Sequence, residues 1–321
     1  MSEKDTRMDA PQAQQPAGTD VEMDAGMEPG MEPVAEPSGG KKKGEKKSVG
    51  AEILSWVWTL LIAVALALVI RSSVFELVRV DGASMNDTLV DTEVMFVTKF
   101  DYSSTWLTPF WASDEAKESA SRLTLFGNPQ RFDVVVCRYP GRGGTNFVKR
   151  VVGLPGDTVE IIDGYLYVNG QKYDEPYIND AYRVSGGSNG QTFAAYTVPK
   201  QGDILVLKQQ GNYLVPYLNG NAWTPRNSTI RAKDASGKEL VIKSGGSSIS
   251  YDGQDISDRV SEMLSQITDV DFTISQDYYF VMGDHRNNSN DSRSQGCIER
   301  SMIMGHVRQV VYPFGNWRGI Q

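Results

Sequence analysis

The stretch NFVKRVVGLPGDTVEIIDGYLYVNG, residues 146–170, carries the pattern that decides the fold. It contains three short runs rich in β-branched and aromatic residues, at 146–153, 157–164 and 165–170, and each ends at a glycine. Such runs predict β-strands, and the Asp163-Gly164 pair predicts a tight hairpin between the second and third. The stretch therefore indicates an antiparallel sheet.

Similar runs lie on both sides of this stretch, so most of the chain is predicted to form strands. The runs are residues 75–82, 92–100, 132–140, 277–283 and 303–314.

Residues 171–275 differ from the rest in being richer in Gly, Ser, Asn and Gln, with further strand signals and one helix candidate, 256–267. We interpret this region as an inserted β-rich subdomain. The predicted fold class is mainly β, with an antiparallel main domain over residues 74–170 and 276–321.

An apolar run of eighteen residues without a charge, 53–70, precedes the strands and predicts a transmembrane helix over residues 49–71. Five lysines lie in residues 41–47, whereas only Arg71 and Arg79 follow the run closely. The positive-inside rule then predicts a single-pass protein of the cell membrane with a cytoplasmic N-terminus and an extracytoplasmic main domain.

Two other interpretations of the apolar run are weaker. Ala63, Ala65 and Ala67 offer the Ala-x-Ala pattern of a cleavable signal peptide, but they lie within the run and the polar leader is too long. A buried core helix would show a polar face, which the run lacks. Residues 1–48, acidic and rich in Pro and Gly before the lysines, predict a disordered tail.

Composition excludes several classes of function. The formal net charge of −8 offers no general basic surface, so nucleic acid is not a predicted partner. The two cysteines, Cys137 and Cys297, match no metal cluster and are predicted to be small buried hydrophobic residues, with a disulfide as the alternative. His285 and His306 are the only histidines, too few for a multi-histidine metal site. No cofactor is predicted.

The segment SSTWLTPFWAS, residues 103–113, has two Trp, a Phe and a Leu within loop-like sequence. It is expected either to pack into the core or to enter the outer leaflet of the membrane, where Trp is favoured.

Ser84, in the stretch VDGASMNDTLV at residues 80–90, is by itself an ordinary turn serine. Strand alternation over residues 146–153 places Lys149 and Arg150 on opposite faces, each between apolar neighbours. Such a lysine must reach water, find a partner or lose its proton, and a neutral amine can act as a general base toward a serine hydroxyl. In isolation, an edge-strand Lys-Arg pair in water is the simpler explanation of the segment.

The loop DHRNNSNDSRSQG, residues 284–296, permits two further interpretations. Asp284 and His285 would belong to a Ser–His–Asp arrangement, but adjacent loop residues do not readily provide the orienting geometry. A calcium loop would need the Gly and terminal Glu of the EF-hand pattern, which are missing. The simplest interpretation is a solvated turn.

Three motifs follow the membrane span in a fixed order: Ser84-Met85 with Thr88-Leu89, then Lys149-Arg150 with Gly153 and Pro155-Gly156-Asp157, then Gly283-Asp284 with Arg286, Ser289 and Asp291-Ser292-Arg293. Together they resemble the motifs of the bacterial type I signal peptidases. The combination is specific, although no single motif is, and it leaves most of residues 171–275 unmatched.

The resemblance implies a membrane-anchored serine endopeptidase that removes signal peptides from exported preproteins, on a signal-peptidase/LexA-like antiparallel β fold. By motif position, Ser84 corresponds to the nucleophile and Lys149 to the general base. Ser289 corresponds to the serine that orients the lysine, while Asp291 and Arg293 correspond to the residues that brace the site. The Ser84 backbone N–H would stabilise the oxyanion.

The family binds its substrate as an added strand, with shallow pockets for small residues one and three positions before the cut. The resemblance assigns Met85, Leu89 and Phe147 to the nearer pocket, and Val80 and Val148 to the farther one. Preproteins and the lipid bilayer are the implied partners, and association with the secretion machinery is a further expectation.

The chain departs from the family pattern at three positions. Asp87 stands where proline is usual, which is expected to loosen the turn and to bring a charge near Lys149 that raises the pKa of the lysine. His285 replaces the usual Asn, and Gly82 carries no hydroxyl for a second oxyanion donor.

Two alternative functions stay open at the level of the sequence. One is a related Ser/Lys peptidase that processes a specialised substrate, and the other is an inactive anchored extracellular binding domain.

Overall fold

The computed structural model describes residues 49–102, 127–139, 142, 145–184, 192–211, 213–243 and 246–320. Two expectations fall outside these residues: the disordered tail over 1–48 and the aromatic segment 103–113.

In chain order, the strands are β1 Phe75–Arg79, β2 Val94–Thr98, β3 Val134–Cys137, β4 Phe147–Gly153, β5 Thr158–Ile162, β6 Tyr165–Val168, β7 Gln171–Lys172, β8 Phe193–Thr197, β9 Ile204–Gln210, β10 Tyr213–Leu218, β11 Asn221–Ala222, β12 Ile230–Lys233, β13 Glu239–Lys243, β14 Ser248–Tyr251, β15 Gln254–Asp255, β16 Phe272–Ile274, β17 Tyr278–Met282, β18 Ile298–Glu299, β19 Ile303–Tyr312 and β20 Arg318–Gly319. The α-helices are α1 Val49–Ser73, α2 Asp180–Val184, α3 Val260–Ile267 and α4 Ser292–Gln295. Short 3₁₀ segments cover Ser257–Arg259, Arg300–Met302 and Phe314–Asn316.

Helix α1 contains the predicted apolar run. Its segment Glu52–Ile70 has a mean hydropathy of 2.6, and none of it is buried within the protein. A helix that is apolar on all sides and has no protein packed around it is suited to a lipid environment. The prediction of a candidate membrane span is confirmed.

The first sheet contains both ends of the β region, in the order β1-β2-β19-β3-β4-β17-β18, with β20 paired to β19. All of these pairs are antiparallel. Strand β4 lies between β3 and β17, and its residues from Lys149 to Gly153 are buried. The mainly β, antiparallel fold class is confirmed, and a central strand carries the predicted lysine.

The two faces of β4 pack into different parts of the core, as period-2 alternation requires. Phe147 and Val151 belong to an apolar cluster that includes Cys137, whereas Val148 packs against a second cluster. Gly153 ends the strand where a Cβ would collide with Val159. Alternation therefore carries Lys149 to the face of Cys137.

The rest of the described β region forms two sheets. The larger has the order β11-β10-β9-β16-β12-β13-β14-β15 and the smaller the order β7-β6-β5-β8. The predicted boundary at residue 170 falls within the smaller sheet, and the division into a main domain and an insertion stays a prediction. The predicted helix over 256–267 is confirmed as the 3₁₀ segment followed by α3.

The expected hairpin and the expected state of the cysteines are both confirmed. Asp163 and Gly164 have φ values of +50° and +82° between β5 and β6, as a two-residue hairpin turn requires. Cys137 and Cys297 are both buried and free.

Candidate active site

Ser84 lies in a tight turn between β1 and β2. Gly82 takes a φ of +99°, and its N–H donates to Asp91 Oδ1 at 2.9 Å. The chain then makes a helical turn in which Leu89 N–H donates to Met85 O at 2.8 Å. The side chains of Met85 and Leu89 are buried and anchor the turn, while Ser84 stays partly exposed. The turn therefore presents the Ser84 hydroxyl at the edge of the core.

Lys149 reaches this hydroxyl from the centre of the first sheet. Its side chain is only 2% exposed, and its Nζ lies 2.8 Å from Ser84 Oγ. The amine also donates to Val148 O at 2.8 Å. The predicted pair of Ser84 and Lys149, 65 residues apart in sequence, is thus within hydrogen-bonding distance.

Burial lowers the pKa of Lys149, because the charged amine loses its hydration. A thiolate at Cys137 would act in the opposite direction, as Asp291 and Asp284 do, and Arg293 adds to the lowering. Burial also raises the pKa of Cys137 to about 12, so at neutral pH this thiol is uncharged and does not favour the ammonium form. The site thus favours a neutral amine beside the hydroxyl.

The loop over residues 283–293 closes against the turn through backbone contacts. His285 N–H donates to Ser84 O at 3.1 Å. A Cβ on Gly283 would collide with Ser84 O and with the side chain of Ser289, so only glycine permits this approach. Gly283 N–H donates to Asp291 Oδ2 at 3.0 Å. The glycine therefore joins the two predicted loop residues to the nucleophile turn.

Asp291 is fully buried and is held by Arg293, whose Nε and Nη2 donate to its two oxygens at 2.9 and 2.8 Å. Burial alone would raise the pKa of Asp291, but the Arg293 charge and the hydrogen bonds from Arg293, Gly283 and Ser289 lower it below its ordinary value. Arg293 Nη2 also donates to Arg286 O at 2.7 Å. The carboxylate thus stays ionised and fixes the shape of the loop.

A buried ion pair lies behind the nucleophile turn. Arg150 Nε and Nη2 donate to the two carboxylate oxygens of Asp284 at 3.0 and 2.8 Å, and both side chains are fully buried. Thr88 Oγ1 donates to Asp284 Oδ2 at 2.5 Å. Arg150, Asp284 and Thr88 thereby connect β4, the loop over residues 283–293 and the Ser84 turn. Arg150 is the residue that follows Lys149 on β4.

Comparisons with known proteins identify the family of the chain. A family model described as "Signal peptidase, peptidase S26" matches residues 53–312. The chain belongs to this signal peptidase family. Signal peptidase I S of Bacillus subtilis (strain 168) is 28% identical over 268 residues, which cover 83% of this chain and 93% of that protein. Signal peptidase I P of Bacillus subtilis subsp. natto is 35% identical over 154 residues, which cover 47% and 70%.

A crystal structure of a signal peptidase I from Enterococcus faecalis V583 is also similar, with 23% identity. The match covers 56% of this chain and 96% of that chain, with a TM-score of 0.28. Membership of the signal peptidase family makes the protein a serine endopeptidase of the hydrolase class, and the candidate span in α1 agrees with a membrane-anchored family.

The residues predicted to line the substrate pockets divide between two apolar clusters. Val80, Met85 and Leu89 are buried together, with Val148 packed against them. Phe147 packs instead with Cys137 and Tyr139 on the other face of β4, where its ring centroid lies 5.9 Å from Lys149 Nζ. The five residues thus lie in two clusters on opposite faces of β4, and their pocket roles stay predictions.

The expected action of Asp87 on the pKa of Lys149 is not found, whereas the expected loosening of the turn stays a prediction. Asp87 is exposed, takes a φ of +69°, and is not among the main charges acting on the pKa of Lys149. His285 contacts the backbone of the turn, with Nδ1 3.0 Å from Ala83 O, so the Ser84 hydroxyl is left to Lys149.

Several residues that support the site were not identified from the sequence. Thr88, Arg150 and Asp284 stood in the quoted motifs without a role, although alternation already placed Arg150 on the opposite face from Lys149. Glu175 lies in the region that the resemblance did not cover, and it is 1% exposed against Arg286. A buried acid needs a cation, but the sequence does not tell which one.

Proposed function

We propose that this protein is a membrane-bound signal peptidase that cleaves N-terminal signal peptides from exported preproteins, with Ser84 as nucleophile and Lys149 as general base. The observation that carries the proposal is the 2.8 Å contact between the hydroxyl and an almost fully buried amine. A buried amine beside a serine can take its proton without a histidine.

The reaction would proceed by acyl transfer. Neutral Lys149 accepts the Ser84 proton while Oγ attacks the scissile carbonyl carbon, and the backbone N–H of Ser84 stabilises the oxyanion that forms. The Lys149 ammonium then protonates the leaving amine as the peptide bond breaks, which releases the mature protein. Water attacks the ester with Lys149 again as base, and the signal peptide leaves with a free carboxylate.

The remaining site residues act through this pair. Asp291 and Arg293 would hold the loop that carries Ser289, and Ser289 would orient Lys149. The substrate would pair as a strand beside the turn and β4. Shallow pockets formed by Met85, Leu89 and Phe147, and by Val80 and Val148, would favour Ala-x-Ala before the cut.

We further infer the orientation from the lysines in residues 41–47, which favour a cytoplasmic N-terminus. The domain after α1 would then lie outside the cytoplasm at the bilayer, where exported preproteins emerge from the secretion machinery.

The test is cleavage of a preprotein with an Ala-x-Ala site by the full-length protein in lipid vesicles, with the product mass locating the cut. Cleavage after the second alanine, and loss of cleavage when that alanine is replaced by Leu, are expected. Cleavage elsewhere in the substrate would favour a peptidase with a specialised substrate. An inert protein would favour the binding-domain alternative.

The pH dependence of cleavage should report Lys149. Because the amine must be neutral to accept a proton, kcat/KM is expected to rise with pH through a midpoint at the pKa of Lys149, which burial lowers from the usual value of about 10.4. The same shift makes the free energy of unfolding rise with pH between the lowered pKa and the ordinary one, since the unfolded chain binds more protons there. A pH–rate profile of the parent protein measures the midpoint, and a midpoint at or above 10.4 would contradict the buried neutral base.

A further inference from the structure

Residues 175–183, which we call the strap, lie against the loop over residues 283–293, strand β4 and the nucleophile turn. Glu175 pairs with both Arg286 and Arg183, and it is almost fully buried. The ring of Tyr177 lies under the guanidinium of Arg150, and the ring centroid is 3.7 Å from Arg150 Cζ. The strap thus contacts the loop over residues 283–293 through Arg286, and it contacts β4, the strand of Lys149, through Arg150.

The strap also contacts two of the three positions at which the chain departs from the family pattern. Asn179 Nδ2 donates to Asp87 Oδ2 at 3.1 Å. The ring of Tyr182 stacks on the ring of His285, with centroids 3.8 Å apart and planes 25° apart. The side chains of Asp87 and His285 therefore both have a partner in the strap.

The conformation of Asp87 explains why such a partner is needed. Its φ of +69° lies in the left-handed region, which asparagine and aspartate tolerate and proline cannot enter. A proline would hold a turn of a different shape by its ring, whereas in this turn a side-chain hydrogen bond from Asn179 adds to the backbone hydrogen bonds and the buried side chains. The bond lies three residues from Ser84, within the same turn.

His285 connects the stacking contact with Tyr182 to the backbone at Ser84. Its backbone N–H donates to Ser84 O at 3.1 Å, and its Nδ1 lies 3.0 Å from Ala83 O. Tyr182 covers the ring on the side of the strap, which restricts the ring to the orientation that reaches Ala83. The backbone of His285 therefore holds Ser84 O, and its side chain, which stacks on the strap, holds Ala83 O.

We propose that the strap positions the nucleophile turn, with Asn179 acting through Asp87 and Tyr182 acting through His285. Neither is a catalytic residue, because neither contacts the reacting atoms. The proposal rests on the proposed function for its kinetic consequence, and the contact itself can be measured separately. It predicts effects on kcat with KM unchanged, since the strap holds the serine and not the substrate.

The test exchanges the two partners of one hydrogen bond. Asn179→Asp replaces the donor by a second carboxylate, which repels that of Asp87. The variant is expected to reduce kcat about tenfold with KM unchanged. Asp87→Asn keeps an acceptor for Asn179 and a residue suited to positive φ, so little change is expected. The double variant Asp87→Asn, Asn179→Asp restores a donor and an acceptor, and kcat is expected to return to within about twofold of the parent.

Asn221→Asp, on the exposed strand β11, is the matched control and should behave as the parent does. A second pair of variants tests the stacking contact: Tyr182→Ala should lower kcat, whereas Tyr182→Phe, which keeps the ring, should not. Unchanged kcat in both Asn179→Asp and Tyr182→Ala would overturn the proposal, as would a lowered kcat that the exchanged pair does not restore.

Hydrogen exchange separates this proposal from the proposed function. In Asn179→Asp the backbone amides of residues 86–89 should exchange faster than in the parent, and in the double variant they should return to the parent rate. If the parent cleaves no preprotein, the proposed function fails while the exchange rates still decide about the strap. Unchanged exchange in Asn179→Asp would refute the positioning contact.

Discussion

Alanine at Ser84 or at Lys149 is expected to reduce kcat for preprotein cleavage by at least about 10³-fold, and the double variant is expected to be no slower than either single variant. The two groups lie 2.8 Å apart and act on one proton, so removing either one removes the same step. Single-turnover rates with one preprotein substrate measure all three variants.

Two further variants separate catalysis from folding. Lys149→Met keeps the volume of the side chain and removes the buried amine, so it should be inactive with a Tm no lower than that of the parent. Lys208→Ala, at an exposed lysine on β9, should retain full activity. A Lys149→Met protein that cleaves at a substantial rate would exclude the lysine as base.

Asp284→Asn is expected to lower the free energy of unfolding by about 3–5 kcal/mol. The asparagine keeps the shape of the side chain but leaves the guanidinium of Arg150 buried without a counter-charge, and both groups are fully buried in the parent. Urea unfolding of the full chain in detergent measures the difference.

The matched control is Asp252→Asn, since the ion pair of Asp252 with Lys238 is 3.9 Å long and exposed on both sides. Its effect should stay within about 0.5 kcal/mol. The double variant Arg150→Met, Asp284→Leu should recover part of the loss, because it leaves no unpaired charge. A loss below about 1 kcal/mol for Asp284→Asn would show that water reaches Arg150.

Local sequence patterns were sufficient to predict the strands, and they were sufficient to predict the faces on which Lys149 and Arg150 lie in the first sheet. Alternation in 146–153 already assigned Lys149 and Arg150 to opposite faces, and the structure places them there. The hairpin at Asp163-Gly164 followed from turn chemistry alone, because both positions require positive φ. The apolar run of α1 needed only its length and lack of charge.

The sequence was less informative about the supports of the site. Asp87 was expected to loosen the turn and to act on Lys149, but its contact with Asn179, 92 residues away in sequence, was not foreseen. Glu175 and Tyr182 stood in a region without a recognised motif. All strands of the larger sheet lie in sequence between these two residues and their partners, Arg286 and His285.

The sequence by itself determined the strands, the candidate membrane helix, and the residue types at the site, because these depend on periodicity, length and motif order within short stretches. Only the tertiary structure decided which charges neutralise one another, how far Lys149 is buried, and which segment holds the nucleophile turn. The reason is physical: burial and ion pairing depend on groups that folding brings together from distant parts of the chain, and local spacing does not encode those distances.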